Sequence, residues 1–157
     1  MDARLNYLAS PLAGKFIKHM HAANKAVADS GLPASTLELV AIRASQINGC
    51  APCLDMHTKE AAHAGETSVR LNLVAVWRET TVFTEAERAA LELTEQGTRI
   101  ADAGVGVTDE VWAAAAKHYD DDQLLALVAH IAFMNAANRL NVMVRQPAGD
   151  YQPGRRG

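Results

Sequence analysis

The sequence predicts an all-α fold: one compact helical domain that assembles as a homo-oligomer. Three observations carry the fold class. Apolar residues recur at three- and four-residue steps, capping residues and glycines punctuate the chain at helical intervals, and no convincing alternating strand pattern appears. Hydrophobic residues make up 49% of the 157 residues but aromatics only 5%, so Ala, Leu, Val and Ile must fill the core. That filling suits closely packed helices better than a β-sandwich. The length supports one domain with a real core, and no linker, internal repeat or low-complexity segment divides it.

The elements follow in order. Ser10-Pro11 opens a first helix, with Pro early where its missing N–H costs nothing; it runs through Phe16, Ile17, Met20, Ala23 and Val27 to Gly31. Ser35-Thr36-Leu37-Glu38 has the capping-box pattern and predicts a second helix, carrying Leu39, Ile42 and Gln46 and stopping at Asn48-Gly49. A third starts at about Cys50, because Pro52 is tolerated only in a first turn, and stops at Gly65. A short fourth spans about Ser68 to Trp77, although Leu73 to Val76 is brief enough to suit a strand as well. Thr84-Glu85-Ala86-Glu87 repeats the capping box and launches a fifth, through Leu91, Leu93 and Ile100, broken by Gly104 and Gly106. Thr108 caps a sixth with Val111 and Trp112. The last begins after Asp120-Asp121-Asp122, acidic residues suited to the positive end of a helix dipole, and carries Leu124, Leu127, Val128, Ile131, Phe133, Met134 and Leu140. The helical domain is therefore 1–146, and the Gly/Pro-rich segment 147–157 is expected to be a flexible tail.

Charge and cysteine usage narrow the function classes. With 15 Lys and Arg against 18 Asp and Glu, the net charge of −3 lacks the basic footprint of a nucleic-acid binder. No apolar run approaches the roughly 20 residues of a membrane span. Met1-Asp2-Ala3-Arg4-Leu5-Asn6 is not a secretory signal, so a cytoplasmic location is expected. Thiols there stay reduced, and a bridge over two intervening residues constrains little of the unfolded chain. Cys50 and Cys53 therefore call for a chemical explanation.

On one helix, Cys50, Cys53 and His57 lie along a single face. The helix N-terminus favours a thiolate at Cys50, whereas His57 stands one turn from Cys53 and within reach of its proton. Two thiols at this spacing close a disulfide readily. Zinc is the rival reading: Cys50, Cys53 and His57 supply three ligands, and one of His19, His21, His63, His118 or His130 would have to complete a closed site. Chance is another, since Cys is a good small core residue. A thioredoxin motif needs flanking strands that this chain lacks. The redox reading leads, with no metal and no cofactor.

The stretch from Glu38 to His57, with its acidic residue, Asn48-Gly49-Cys50-Ala51-Pro52-Cys53 and His four residues later, resembles the core motif of the alkylhydroperoxidase D family, within the carboxymuconolactone decarboxylase-like superfamily. The likeness is best over about residues 35–100, and Asn138-Arg139 is also familiar. It implies an all-α homo-oligomer, a trimer or hexamer, that reduces organic hydroperoxides. By that likeness Cys53 becomes the sulfenic acid, Cys50 is the partner thiol, and His57 and Glu38 form the proton relay. Electrons would come from a dithiol donor: a lipoyl protein, thioredoxin or a small thiol. One departure stands out, because the best-known peroxidase members carry a His immediately before the second cysteine and this chain has Pro52. The alternative is a redox-sensing or disulfide-reductase module that uses the same pair without efficient peroxide turnover.

Other residues have plainer readings. For Glu38 the plainer alternative is a helix cap, as the fourth residue of a capping box, which the family likeness ranks below the proton relay. Arg43 and Gln46 read as solvated, and His63 as exposed. Trp77 and Trp112 read as core or interface residues. His130, Asn135, Asn138 and Arg139 either bond neighbouring helices or line a pocket beside the cysteines.

Overall fold

In the computed structural model, which describes residues 2–154, side-chain caps set most of the helix starts. Helix α1 (Pro11–Ala28) begins at Ser10, whose hydroxyl accepts from the Leu12 N–H. Helix α2 (Ala34–Asn48) begins at Pro33, with no side-chain cap, so Ser35 and Thr36 fall inside its first turn. The expected capping box at Ser35 and Glu38 is therefore not formed: the fixed φ of Pro33 starts the helix earlier and leaves the Glu38 carboxylate for another partner. Helix α3 (Ala51–His63) has Cys50 at its N-cap and Pro52 in its first turn. Thr67 caps α4 (Ser68–Leu73), which passes into a 3-10 turn (Val74–Glu79) interrupted at Val76.

Helix α5 (Glu85–Thr98) opens on a complete capping box of Thr84 and Glu87. It stops at Thr98, so Ile100 lies beyond it and is exposed rather than part of the apolar face. Thr108 caps α6 (Asp109–Ala116). Asp120 and Gln123 form a second complete box at the start of α7 (Asp121–Val144). Among the described residues there is no strand, and no helix is long and apolar enough to cross a membrane.

Helix α2 is the central post, packed against α3, α5 and α7. Leu39, Val40, Ala41, Ile42, Ala44 and Ser45 are all buried, the pattern of a helix covered on every side. One apolar cluster joins Val40 to Leu93, Leu124, Leu127 and Ile131 across α2, α5 and α7. A second joins Leu39 and Ile42 to Ala61, Trp77 and Leu91. Gly97 lets α5 approach α7 closely, because a Cβ there would meet the Ile131 side chain at 3.2 Å. The outer helices stay partly bare: Leu12 and Phe16 of α1 are exposed, and so is Trp112.

After α7 the chain runs back along α3. The Gly149 and Tyr151 N–H groups donate to Asp55, Lys59 donates to the Gly149 and Tyr151 carbonyls, and the Tyr151 hydroxyl bonds Glu60. Of the segment expected to be a flexible tail, residues 147–154 are thus irregular but hydrogen-bonded to α3, and residues 155–157 lie outside the described residues.

Candidate redox site

The site is built by the turn between α2 and α3. Gly49 takes the left-handed conformation (φ 66°) that a side chain resists, which ends α2 and folds the chain back so that the Cys50 N–H donates to the Ser45 carbonyl. The Cys50 carbonyl then accepts from the Leu54 N–H and opens α3. Pro52 sits where no intrahelical partner awaits its nitrogen. This places Cys50 and Cys53 with Cα atoms 5.4 Å apart, and the two are joined by a disulfide. Both are buried, packed with Ala41, Ala44 and Met134 between α2 and α7. Although Cys50 is the N-cap, its side chain makes no cap hydrogen bond.

His57 lies one turn beyond Cys53 on the inner face of α3 and is 5% exposed. Its Nδ1 is 2.8 Å from Glu38 Oε2. A carboxylate at Nδ1 selects the tautomer in which Nδ1–H donates to Glu38 and Nε2 is the basic nitrogen. The four residues singled out in the sequence thus occupy one place: Cys50 bonded to Cys53, Cys53 one turn from His57, and His57 paired with Glu38. Among the described residues no three His, Cys, Asp or Glu side chains are grouped to hold a metal ion.

Helix α7 contributes a ladder of asparagines at three-residue steps. Asn135 Oδ1 and Asn138 Oδ1 both accept from Asn48 Nδ2, at 3.1 and 3.0 Å. Asn138 Nδ2 donates to Ser45 Oγ at 3.0 Å, and both residues are fully buried. The turn that presents Cys50 is therefore pinned to α7 through Ser45 and Asn48. One step on, Asn141 Nδ2 donates to Cys53 Sγ at 3.3 Å, and Asn141 Oδ1 accepts from the Tyr7 hydroxyl at 3.4 Å. Burial pushes the Tyr7 phenol above its ordinary range, which keeps it protonated and able to donate. Neither Asn141 nor Tyr7 is evident in the sequence; the regular spacing of Asn135, Asn138 and Asn141 is the one signal that points to the former. An open cleft of about 390 Å³ adjoins the disulfide, lined by Gly49, Ala51, Pro52, Asn141 and Arg145 among others.

The remaining polar candidates are structural. Arg43, expected to be solvated, instead donates to Glu95 at 2.8 Å and to Gln46 at 3.1 Å. Burial alone would push Glu95 up, but Arg78, Trp77 and Arg43 together hold it below the ordinary carboxylate range. Trp77 is buried with its indole N–H on Glu95. His130 Nε2 lies 3.0 Å from the Leu37 carbonyl and ties α7 to α2.

The sequence profile of the carboxymuconolactone decarboxylase family matches residues 11–96. The uncharacterized protein YdfG of Bacillus subtilis is 37% identical over 142 residues, 90% of this chain and 94% of the relative. The crystal structure of ATU0492 from Agrobacterium tumefaciens, a protein of unknown function suggested to be the antioxidant defence protein AhpD, superposes with a TM-score of 0.86 at 36% identity, covering 96% of this chain and 100% of that one. A Cys-to-Ala variant of the debrominase Bmp8, in complex with 2,3,4-tribromopyrrole, shares the fold at 18% identity and a TM-score of 0.69, over 82% of this chain and 68% of that one. A family match spanning more than half the chain, and relatives alike along nearly its whole length, agree with the Cys-x-x-Cys site and the all-helical fold: this chain belongs to the carboxymuconolactone decarboxylase family and has the AhpD-like form of its fold.

Proposed function

We propose that the protein is a thiol-dependent peroxidase that reduces organic hydroperoxides through Cys50 and Cys53. The observation that carries this reading is the Glu38–His57 pair, held at 2.8 Å one helical turn from a cysteine already paired with its neighbour. In the reduced protein His57 takes the Cys53 proton, and Glu38 stabilises the imidazolium that forms. The Cys53 thiolate attacks the terminal hydroperoxide oxygen, the O–O bond breaks, and the alcohol leaves with the proton from His57. Cys53 is now a sulfenic acid. The Cys50 thiol attacks the Cys53 sulfur, water leaves, and the disulfide closes. A dithiol donor, whether a lipoyl protein, thioredoxin or a small thiol, returns two electrons by exchange. The role of Cys53 as nucleophile is supported by its neighbours: it has His57 one turn away and an amide donor at 3.3 Å, while the Cys50 side chain gains no helix-cap bond. The bare apolar residues of α1, Leu12 and Phe16, suit contact with further copies of the chain, consistent with a trimer or hexamer.

Pro52 favours a second reading. It stands where the resembling peroxidases carry a His, so proton delivery beside Cys53 rests on His57 alone. A disulfide reductase or redox sensor needs less of that delivery. A steady-state assay with cumene hydroperoxide and a panel of dihydrolipoamide, thioredoxin and dithiothreitol separates the two. Repeated turnover is the expected result. Consumption of one peroxide per chain and no more would exchange the peroxidase for the sensor.

A further inference from the structure

Cys53 is held from the far end of the chain as well as from its own helix. Residues near the N-terminus lie along the end of α7: the Arg4 N–H donates to the Val144 carbonyl at 2.8 Å, and the Arg4 guanidinium to the Met143 carbonyl at 3.3 Å. This brings the Tyr7 hydroxyl to Asn141 Oδ1 and turns Asn141 Nδ2 toward Cys53 Sγ, here in its disulfide with Cys50. The orientation is chemically consistent. A phenol kept protonated donates to the amide oxygen, so the amide nitrogen faces the sulfur, and a thiolate sulfur accepts but cannot donate.

We propose that Asn141 is the hydrogen-bond donor that stabilises the Cys53 thiolate, and that Tyr7 is the positioning residue that holds Asn141 in that orientation. The inference rests on the peroxidase reading only in taking Cys53 as the nucleophilic cysteine. The thiolate is the reactive form, and a donor within reach of a sulfur in a buried, largely apolar setting opposes the rise in pKa that burial imposes. Around Cys53 stand His57 on its own helix, Glu38 behind His57 on α2, Tyr7 from the N-terminal turn, and Arg145, which lines the adjoining cleft with Asn141. Glu38 and His57 govern where the proton goes. Asn141 is uncharged throughout, so its effect is a shift of the Cys53 titration without a titration of its own.

The test reads the Cys53 pKa from the pH dependence of iodoacetamide alkylation, in reduced full-length protein carrying Cys50→Ser, with no peroxide present. Asn141→Leu keeps the size and removes the donor, and is expected to raise the Cys53 pKa by about one unit, tenfold less thiolate at a pH below both values. Asn141→Asp replaces the donor with a carboxylate and should raise it at least as far. Tyr7→Phe, acting through Asn141, should shift it the same way by less. A merely structural role for these residues would lower the unfolding temperature and leave the alkylation profile in place. An unchanged Cys53 pKa in a folded Asn141→Leu variant overturns the proposal; if that variant does not fold by circular dichroism, an unchanged pKa in Tyr7→Phe does so instead. The readout is independent of turnover. A shifted pKa in a chain that does not reduce hydroperoxides supports Asn141 and overturns only the peroxidase reading, whereas turnover with no shift overturns only the Asn141 proposal.

Discussion

The Glu38 carboxylate of α2 lies 2.8 Å from Nδ1 of His57 on α3, and its side chain makes this contact rather than a helix cap. Both side chains are largely buried, so the pair fixes the imidazole tautomer and ties the helix that bears Cys53 to the centre of the fold.

Glu38→Gln tests that role. The substitution keeps size and hydrogen bonding and removes the charge that stabilises the imidazolium. Since α2 starts at Pro33 without help from Glu38, the helix is undisturbed. The variant should unfold within a few degrees of the parent, while peroxide consumes Cys53 at least about tenfold more slowly at neutral pH. Stopped-flow rates beside a thermal melt check both halves.

Much of this was legible because it is local. Cys50, Cys53 and His57 stand within eight consecutive residues, and helical spacing alone places them on one face. Helix starts with a side-chain cap, at Ser10, Thr84 and Thr108, were equally readable. Glu38 is ambiguous in sequence because Ser35 to Glu38 satisfies the capping-box pattern; the helix start at Pro33 removes that role, and the carboxylate meets His57, 19 residues away. The end of α5 is obscured because Ile100 fits the apolar period, and Gly97, beside the true end at Thr98, reads equally well as an interior glycine that packs against Ile131. Asn141 and Tyr7 reach Cys53 and each other across 88 and 134 residues, separations that no periodicity reports.

Asn138 should be costly to replace with an apolar isostere. Asn138→Leu strands the buried Ser45 hydroxyl and removes one acceptor of Asn48. Each buried polar group left unsatisfied costs about 1–3 kcal/mol, so denaturant unfolding should show a loss of roughly 2 kcal/mol or more. The turn that presents Cys50 should loosen with it, and amide exchange at residues 48–50 is the place to look.

Acid should attack the fold through two glutamates. For Glu87, burial pushes the pKa up, but Arg70 and Thr84 outweigh it, and for Glu95 Arg78, Trp77 and Arg43 do the same, so both are depressed when folded. Groups of this kind contribute stability that is fully present above the unfolded glutamate pKa of about 4.3 and is lost as pH falls through the lower folded values. Thermal stability should therefore hold from neutral pH down to about 5 and decline below it. Glu95→Gln should flatten that decline and lower stability at neutral pH by about 3 kcal/mol, because Arg43 keeps its burial and loses its counter-charge.

The C-terminal segment should come away from α3 when Asp55 is neutralised. The Lys59 ammonium, helped by the Gly149 and Tyr151 N–H groups, holds the Asp55 carboxyl below its ordinary range against the opposing effect of burial. Asp55→Ala removes the acceptor of both N–H groups. Amide exchange at Gly149 and Tyr151 should accelerate at least about tenfold, with helix content unchanged by circular dichroism.

Above all, Cys53 should be the residue that meets the peroxide and Cys50 the one that resolves it. One equivalent of cumene hydroperoxide, added to reduced Cys50→Ser and Cys53→Ser proteins in the presence of dimedone and read by mass spectrometry, tests this most directly. The expected result is dimedone on Cys53 in the Cys50→Ser protein and little on Cys50 in the other. Label appearing on Cys50 alone would reverse the two roles, and label on neither, with both thiols still titratable, would contradict peroxide chemistry at this site.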